Sequence, residues 1–153
     1  MATRILMVCL GNICRSPLAE GILKSKVKNI DISVESAGTA GYHIGSAPDP
    51  RSIQIAKKYG IDITDQKCRG FTKEDFEIFD YIFVMDNSNY KDVIKLAPNH
   101  AYKKKVALIL STTSLPIDEV PDPYYEDENG FEHVYDLLDI ACNAIIDHIS
   151  RSC

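Results

Sequence analysis

Apolar residues along this chain fall into short runs separated by stretches with helical spacing. Residues 5–8 (Ile-Leu-Met-Val) form a compact strand-like run that leads into Cys-Leu-Gly-Asn, a turn signal. Behind the turn, Leu18, Ala19, Ile22, Leu23 and Val27 recur on one helical face. Ser16-Pro17 reads there as an N-cap followed by a first-turn proline. Residues 32–36 alternate like a strand, residues 38–45 read as loop, and Asp49-Pro50 opens a second helix that Gly60 closes. Thr72-Lys73-Glu74-Asp75 resembles a capping box ahead of a short helix. Residues 81–85 and 106–110 are the third and fourth strand candidates, with a helix over 87–97 between them. A loop over 111–130, carrying Pro116, Pro121 and Pro123, precedes a last helix from about Phe131. Loops of that length in compact domains are more often functional than accidental. Four apolar runs alternating with helices predict a parallel sheet covered on both sides.

Composition narrows the function. At 153 residues, with 45% hydrophobic and 25% charged, the chain is expected to form one globular domain over 1–153. A net charge of −5, from 17 basic and 22 acidic residues, argues against nucleic acid or an anionic membrane as partner. It leaves room for a locally positive pocket. The longest apolar run, residues 5–10, is far too short to span a bilayer. The N-terminus reads as a strand and lacks a signal-peptide cleavage site, so a cytoplasmic protein is expected. Five cysteines (Cys9, Cys14, Cys68, Cys142 and Cys153) are an odd number, too few for a disulfide framework. In a reducing compartment such thiols are packing groups, metal ligands or reactive centres.

The segment with most chemical content is Cys9-Leu10-Gly11-Asn12-Ile13-Cys14-Arg15-Ser16-Pro17, between the first strand and the first helix. Ligands of parallel sheets sit beyond the carboxyl ends of strands, where this turn falls. A loop from Cys9 to Arg15 can curl so that the amides of Leu10, Gly11, Asn12, Ile13, Cys14 and Arg15 converge on an anion, with the helix N-terminus behind them. Arg15 can clamp two phosphate oxygens with its planar fork. Cys9 then lies at the bottom of the ring as a nucleophile. Lowering a thiol pKa by three units needs about 4 kcal/mol. A helix end supplies only about 0.3–2 kcal/mol, so Arg15, the amides and the Ser16 hydroxyl must supply the rest. The plainer reading is a buried strand-end thiol and a surface arginine. No second Cys/His pair at ligand spacing accompanies Cys9 and Cys14, so no metal or other cofactor is expected.

This loop resembles the signature of the low-molecular-weight protein tyrosine phosphatases. The resemblance extends in the family's order to Ser36-Ala-Gly-Thr-Ala-Gly-Tyr42, Phe71-Thr-Lys-Glu-Asp-Phe76, Asp80-Tyr81-Ile82, Met85-Asp86-Asn-Ser-Asn89 and Asp122-Pro-Tyr-Tyr125. It implies a flavodoxin-like α/β fold, a four-stranded parallel sheet with helices on both faces. It also implies hydrolysis of phosphotyrosyl proteins and small aryl phosphates through a phosphocysteine, with inorganic phosphate as product. Asp122 would be the general acid, with a raised pKa or a mildly acidic optimum and a bell-shaped pH profile. Tyr42, Tyr124 and Tyr125 would wall the cleft, and Asn12 and Ser36 would hold the loop in shape.

Asp86 matches a residue near that loop and reads equally as the cap of the following helix. Gln66 stands where many members have a histidine linked to the loop serine. Cys14 matches a second loop cysteine that can form a reversible disulfide with Cys9, or it packs beneath the loop. His43, His100, His133 and His148 read as loop or surface residues.

Three other readings share the loop. A thiol-linked arsenate reductase needs further cysteines, and residues 76–100 contain none. A protein-arginine phosphatase typically has Thr in place of Ile13 and Phe in place of Tyr124. A non-catalytic phosphate-binding module has no use for Asp122.

Overall fold

A computed structural model describes residues 2–152. Its strands β1 (Thr3–Cys9), β2 (Ile32–Gly38), β3 (Tyr81–Val84) and β4 (Val106–Leu108) form one parallel sheet in the order β2-β1-β3-β4. The helices are α1 (Arg15–Lys26), α2 (Pro50–Lys58), α3 (Asp75–Ile78), α4 (Asn87–Leu96), α5 (His100–Lys103) and α6 (Glu128–Ser152). The four-stranded parallel α/β architecture is the one expected.

The uninterrupted apolar run of β1 follows from burial on both faces. Successive side chains alternate across a strand. Ile5, Met7 and Cys9 join the layer that holds Leu18 and Ile22 of α1, Ile55 of α2 and Leu138 and Ile145 of α6. Leu6 and Val8 join Phe76 of α3, Phe79, and Val93 of α4 on the other face. β1 is also where the strand order reverses, so its carboxyl end lies at the switch point of the sheet. The chain leaves β1 at Cys9 and enters α1 at Arg15.

Four local expectations need correction. Cys14, not Ser16, occupies the N-cap of α1, and it makes no side-chain cap bond. β4 stops at Leu108, and residues Ile109–Thr112 wind into a 3-10 turn whose Ser111 and Thr112 hydroxyls donate to the Leu108 and Ile109 carbonyls. α5 was not expected; Asn99 caps it by accepting the Tyr102 amide at 3.0 Å. α6 starts three residues earlier than Phe131, at Glu128, with the Asp127 carboxylate accepting the Asn129 and Gly130 amides. Among the described residues no helix is long and apolar enough to cross a membrane.

Candidate active site

The loop after β1 has its carbonyls bonded outward. Thr39 and Ala40 amides donate to Cys9 and Leu10 oxygens at 2.9 Å, and the Asp49 amide donates to Ile13 O at 2.8 Å. The Cys68 thiol donates to Asn12 O at 2.8 Å, and the Ser52 hydroxyl donates to Cys14 O at 3.2 Å. In a trans peptide the N–H points opposite the C=O. The amides of Leu10, Gly11, Ile13, Cys14 and Arg15 therefore turn toward the inside of the curve, and none of the first four donates to a protein acceptor among the described residues. The Asn12 amide donates to Cys9 Sγ at 3.3 Å.

Asn12 makes this curvature possible. Its φ of 57° lies in the left-handed region, which Asn tolerates better than most residues. Its side chain is bonded at both ends: Nδ2 donates to Ser16 Oγ at 2.8 Å, and Oδ1 accepts the Arg69 amide at 3.0 Å. Gly38, opposite Cys9 in β2, lets the loop come close. A Cβ there would lie 2.9 Å from Leu10 O and 3.1 Å from Asn12 N.

Cys9 is 3% exposed, and its sulfur lies 3.0 Å from Ser16 Oγ. Arg15 is 2% exposed, and Nη1 donates to Asp86 Oδ2 at 2.7 Å and to Val120 O at 2.9 Å. Burial opposes the Arg15 charge, but Cys9, the bond to Asp86 and the nearby Asp122 outweigh it and hold the guanidinium above its ordinary range. Asp86 fills both expected roles, because its other oxygen caps α4 by accepting the Asn89 amide at 2.8 Å. Capping fixes the carboxylate, and the carboxylate fixes the arginine.

Asp122 approaches from the long loop. Its Oδ2 lies 3.8 Å from Arg15 Nη2, and its Oδ1 accepts the Tyr124 amide at 3.1 Å. Its side chain is 44% exposed. Cys9, Arg15 and Asp122 line one cavity of about 340 Å³, together with Leu10, Gly11, Ile13, Cys14, Tyr42, Tyr124 and Tyr125. The Tyr124 and Tyr125 rings meet edge to face at 5.0 Å. The carboxylates and thiols contain no group of three placed to hold a metal among the described residues.

One expected support, Ser36, lies elsewhere, and the departure at Gln66 has a partner of its own. The Ser36 hydroxyl donates to Glu20 Oε1 at 2.6 Å, tying β2 to α1 rather than bracing the loop directly. Gln66 donates to Pro17 O at 3.0 Å and does not reach Ser16, whose hydroxyl is engaged with Asn12, Cys9 and Ala37 O. Burial, reinforced by Asp49, Cys9 and Asp122, pushes the Cys14 thiol well above the ordinary range, which keeps it protonated at neutral pH. Sequence reasoning missed His43, which lines the cavity with its ring against Gly11. Its place directly after Tyr42 was the available signal.

A buried thiol inside a ring of inward amides, at the switch point of a parallel sheet, defines an oxyanion-binding α/β protein with a cysteine in its binding site. Comparison with known proteins narrows that class. The family model for low molecular weight phosphotyrosine protein phosphatase matches residues 4–153. The chain is 40% identical over 148 residues to the low molecular weight phosphotyrosine protein phosphatase of Homo sapiens, covering 94% of this chain and 93% of that protein. The Schizosaccharomyces pombe protein of the same name is 38% identical over 147 residues, covering 92% and 93%. Among solved structures, a protein tyrosine phosphatase from Entamoeba histolytica with Hepes in its active site superposes with a TM-score of 0.93 at 39% identity, covering 99% of both chains. This chain belongs to the low molecular weight phosphotyrosine protein phosphatase family and is a hydrolase of the protein-tyrosine-phosphatase class.

Proposed function

We propose that the chain, as one catalytic domain over residues 1–153, hydrolyses aryl phosphate monoesters, phosphotyrosyl side chains of proteins among them, through a phosphocysteine on Cys9. The observation that carries this reading is the loop geometry: outward-bonded carbonyls, inward amides and a buried, doubly anchored Arg15 around the Cys9 sulfur. Such fixed dipoles stabilise charge on transferring oxygens without reorganising during the reaction.

The phosphate dianion binds with its non-bridging oxygens on the loop amides and Arg15. The Cys9 thiolate attacks phosphorus; the S–P bond forms as the bond to the aryl oxygen breaks, and Asp122 gives that oxygen its proton. The Asp122 carboxylate then takes a proton from water, which attacks phosphorus. The S–P bond breaks, inorganic phosphate leaves and the thiolate returns, with the Ser16 hydroxyl 3.0 Å away to donate to it. Tyr42, Tyr124 and Tyr125 flank the aryl ring. A Vibrio vulnificus relative of 30% identity, Wzb, was solved in complex with benzylphosphonate, an aryl group carried on a phosphonate. The buried, unpaired thiols of Cys9, Cys14, Cys68 and Cys142 suit a reducing compartment such as the cytoplasm.

Rapid quench with p-nitrophenyl phosphate tests the reading. A burst of p-nitrophenolate matched by phosphate on the Cys9 peptide is expected. A burst with no phosphate on that peptide overturns it.

A further inference from the structure

Arg51, the second residue of α2, takes no part in the chemistry described above, yet it connects both walls of the cavity. Its Nε and Nη2 donate to the two carboxylate oxygens of Asp49, each at 3.0 Å. Its Nη1 donates to Glu126 O at 3.1 Å. The guanidinium carbon lies 4.6 Å over the Phe131 ring and 5.6 Å over the Tyr124 ring. Asp49, through its amide, holds Ile13 O of the phosphate loop at 2.8 Å. A continuous chain of contacts thus runs from Ile13 through Asp49 and Arg51 to Glu126 and Tyr124.

The segment that Arg51 grips has few other ties. Among the described residues, the bond to Glu126 is the one hydrogen bond joining residues 121–127 to a distant part of the protein. The remaining bonds there are local, apart from the 3.8 Å approach of Asp122 to Arg15. Tyr124 in turn fixes the carboxylate, because its amide donates to Asp122 Oδ1.

We propose that Arg51 is a positioning residue for proton delivery: its fork on Asp49 and its hold on Glu126 and Tyr124 set the Asp122 carboxylate beside Arg15 in the cavity that Cys9 lines. The inference rests on Asp122 being the proton donor. Its signature is a dependence on leaving group. Losing the brace harms departure of a basic phenolate, which needs the proton, and spares departure of p-nitrophenolate, which does not. Phosphate binding is untouched, because Asp49 still donates its amide to Ile13 O.

The test measures kcat/KM, which reports the steps up to leaving-group departure, for phenyl phosphate and p-nitrophenyl phosphate. The proteins are the parent, Arg51→Ala, Arg51→Lys and Asp122→Ala, each with its inhibition constant for inorganic phosphate and its thermal midpoint. Arg51→Ala is expected to lower the phenyl phosphate value about tenfold and the p-nitrophenyl phosphate value about twofold or less, since misplacing a catalytic group by about 1 Å can cost up to about 10²-fold. The inhibition constant should stay within about twofold. Arg51→Lys should fall between, because an ammonium cannot make the forked contact. Equal losses on both esters, or a loss that tracks weaker phosphate binding, overturn the inference. Should Arg51→Ala not fold, Arg51→Lys decides: an unchanged leaving-group dependence overturns the inference. If Asp122→Ala slows both esters equally, the acid assignment itself fails. If only Asp122→Ala is steep, Arg51 alone is ruled out.

Discussion

Residues 9–16 and residues 121–127 face one cavity but are held in different ways. The first segment is mostly buried and has five of its carbonyls bonded outward, to Thr39 and Ala40 just after β2, to Asp49 and Ser52 at the start of α2, and to Cys68. The second is mostly exposed, with Tyr125 at 95%, and among the described residues Arg51 supplies its one long-range hydrogen bond. The contrast follows from what each meets. A phosphate group has one geometry, so its dipoles are best fixed beforehand. The aryl side of the substrate varies, and a lightly braced wall of tyrosines accommodates it. On the proposed mechanism, the barrier-lowering contacts therefore sit on a firmly bonded strand-to-helix turn, and the proposed proton donor, Asp122, sits on the more lightly held wall.

The strongest way to break this comparison is Cys9→Ser. Turnover should fall on the order of 10⁴-fold or more, since a covalent intermediate is lost. Inorganic phosphate should still bind, because the carbonyl bonds that shape the loop do not involve the sulfur. Steady-state rates and titration calorimetry check the two halves. Loss of phosphate binding along with turnover would mean that the loop is not preorganised.

A matched pair sharpens the contrast with smaller effects. Gly38→Ala places a methyl 2.9 Å from Leu10 O and 3.1 Å from Asn12 N, both backbone atoms that cannot rotate away. Overpacking of this kind costs about 1–3 kcal/mol. The displaced loop should also lower kcat/KM about tenfold. Tyr125→Ala removes a ring that is 95% exposed, so stability should change by about 0.5 kcal/mol or less. Its cost should appear as an aryl phosphate KM raised about two- to tenfold, the worth of an aromatic contact. Urea unfolding and steady-state kinetics on both variants read this out. Equal destabilisation by the two would erase the distinction between the walls.

The same contrast explains what was legible in the sequence. β1 and the loop after it are coded locally: a run buried on both faces, then Cys9 to Arg15 at fixed spacing before a helix. Asp86 reads correctly as a cap because capping is also local. The failures involve partners chosen in space. Ser16-Pro17 has the form of a cap, but Cys9 and Asn12 claim the hydroxyl. Ser36 finds a partner on α1, 16 residues away, that no motif announces. Arg51 sits in an ordinary polar position of α2, and its meaning depends on Glu126, 75 residues later. α5 was missed because four residues give no hydrophobic periodicity.

The smallest effect expected is a pH dependence at the joint between the two walls. Burial at the N-terminus of α2 works against ionisation of Asp49, but its bonds to the Arg51 side chain and amide, with the Cys14 thiol, outweigh that and hold the carboxyl below its ordinary 3.8. A carboxyl depressed on folding stabilises the protein fully above its unfolded pKa, and that stability is lost as pH falls through the folded value. Asp49→Asn keeps an acceptor for the cap but cannot titrate. The stability difference between the parent and Asp49→Asn should therefore be level from about pH 7 to pH 5 and shrink below about pH 4. Urea midpoints at four pH values check this. A difference that stays constant to pH 3, or grows there, would mean that Arg51 does not stabilise the Asp49 charge and that the bridge between the walls depends on hydrogen bonds alone.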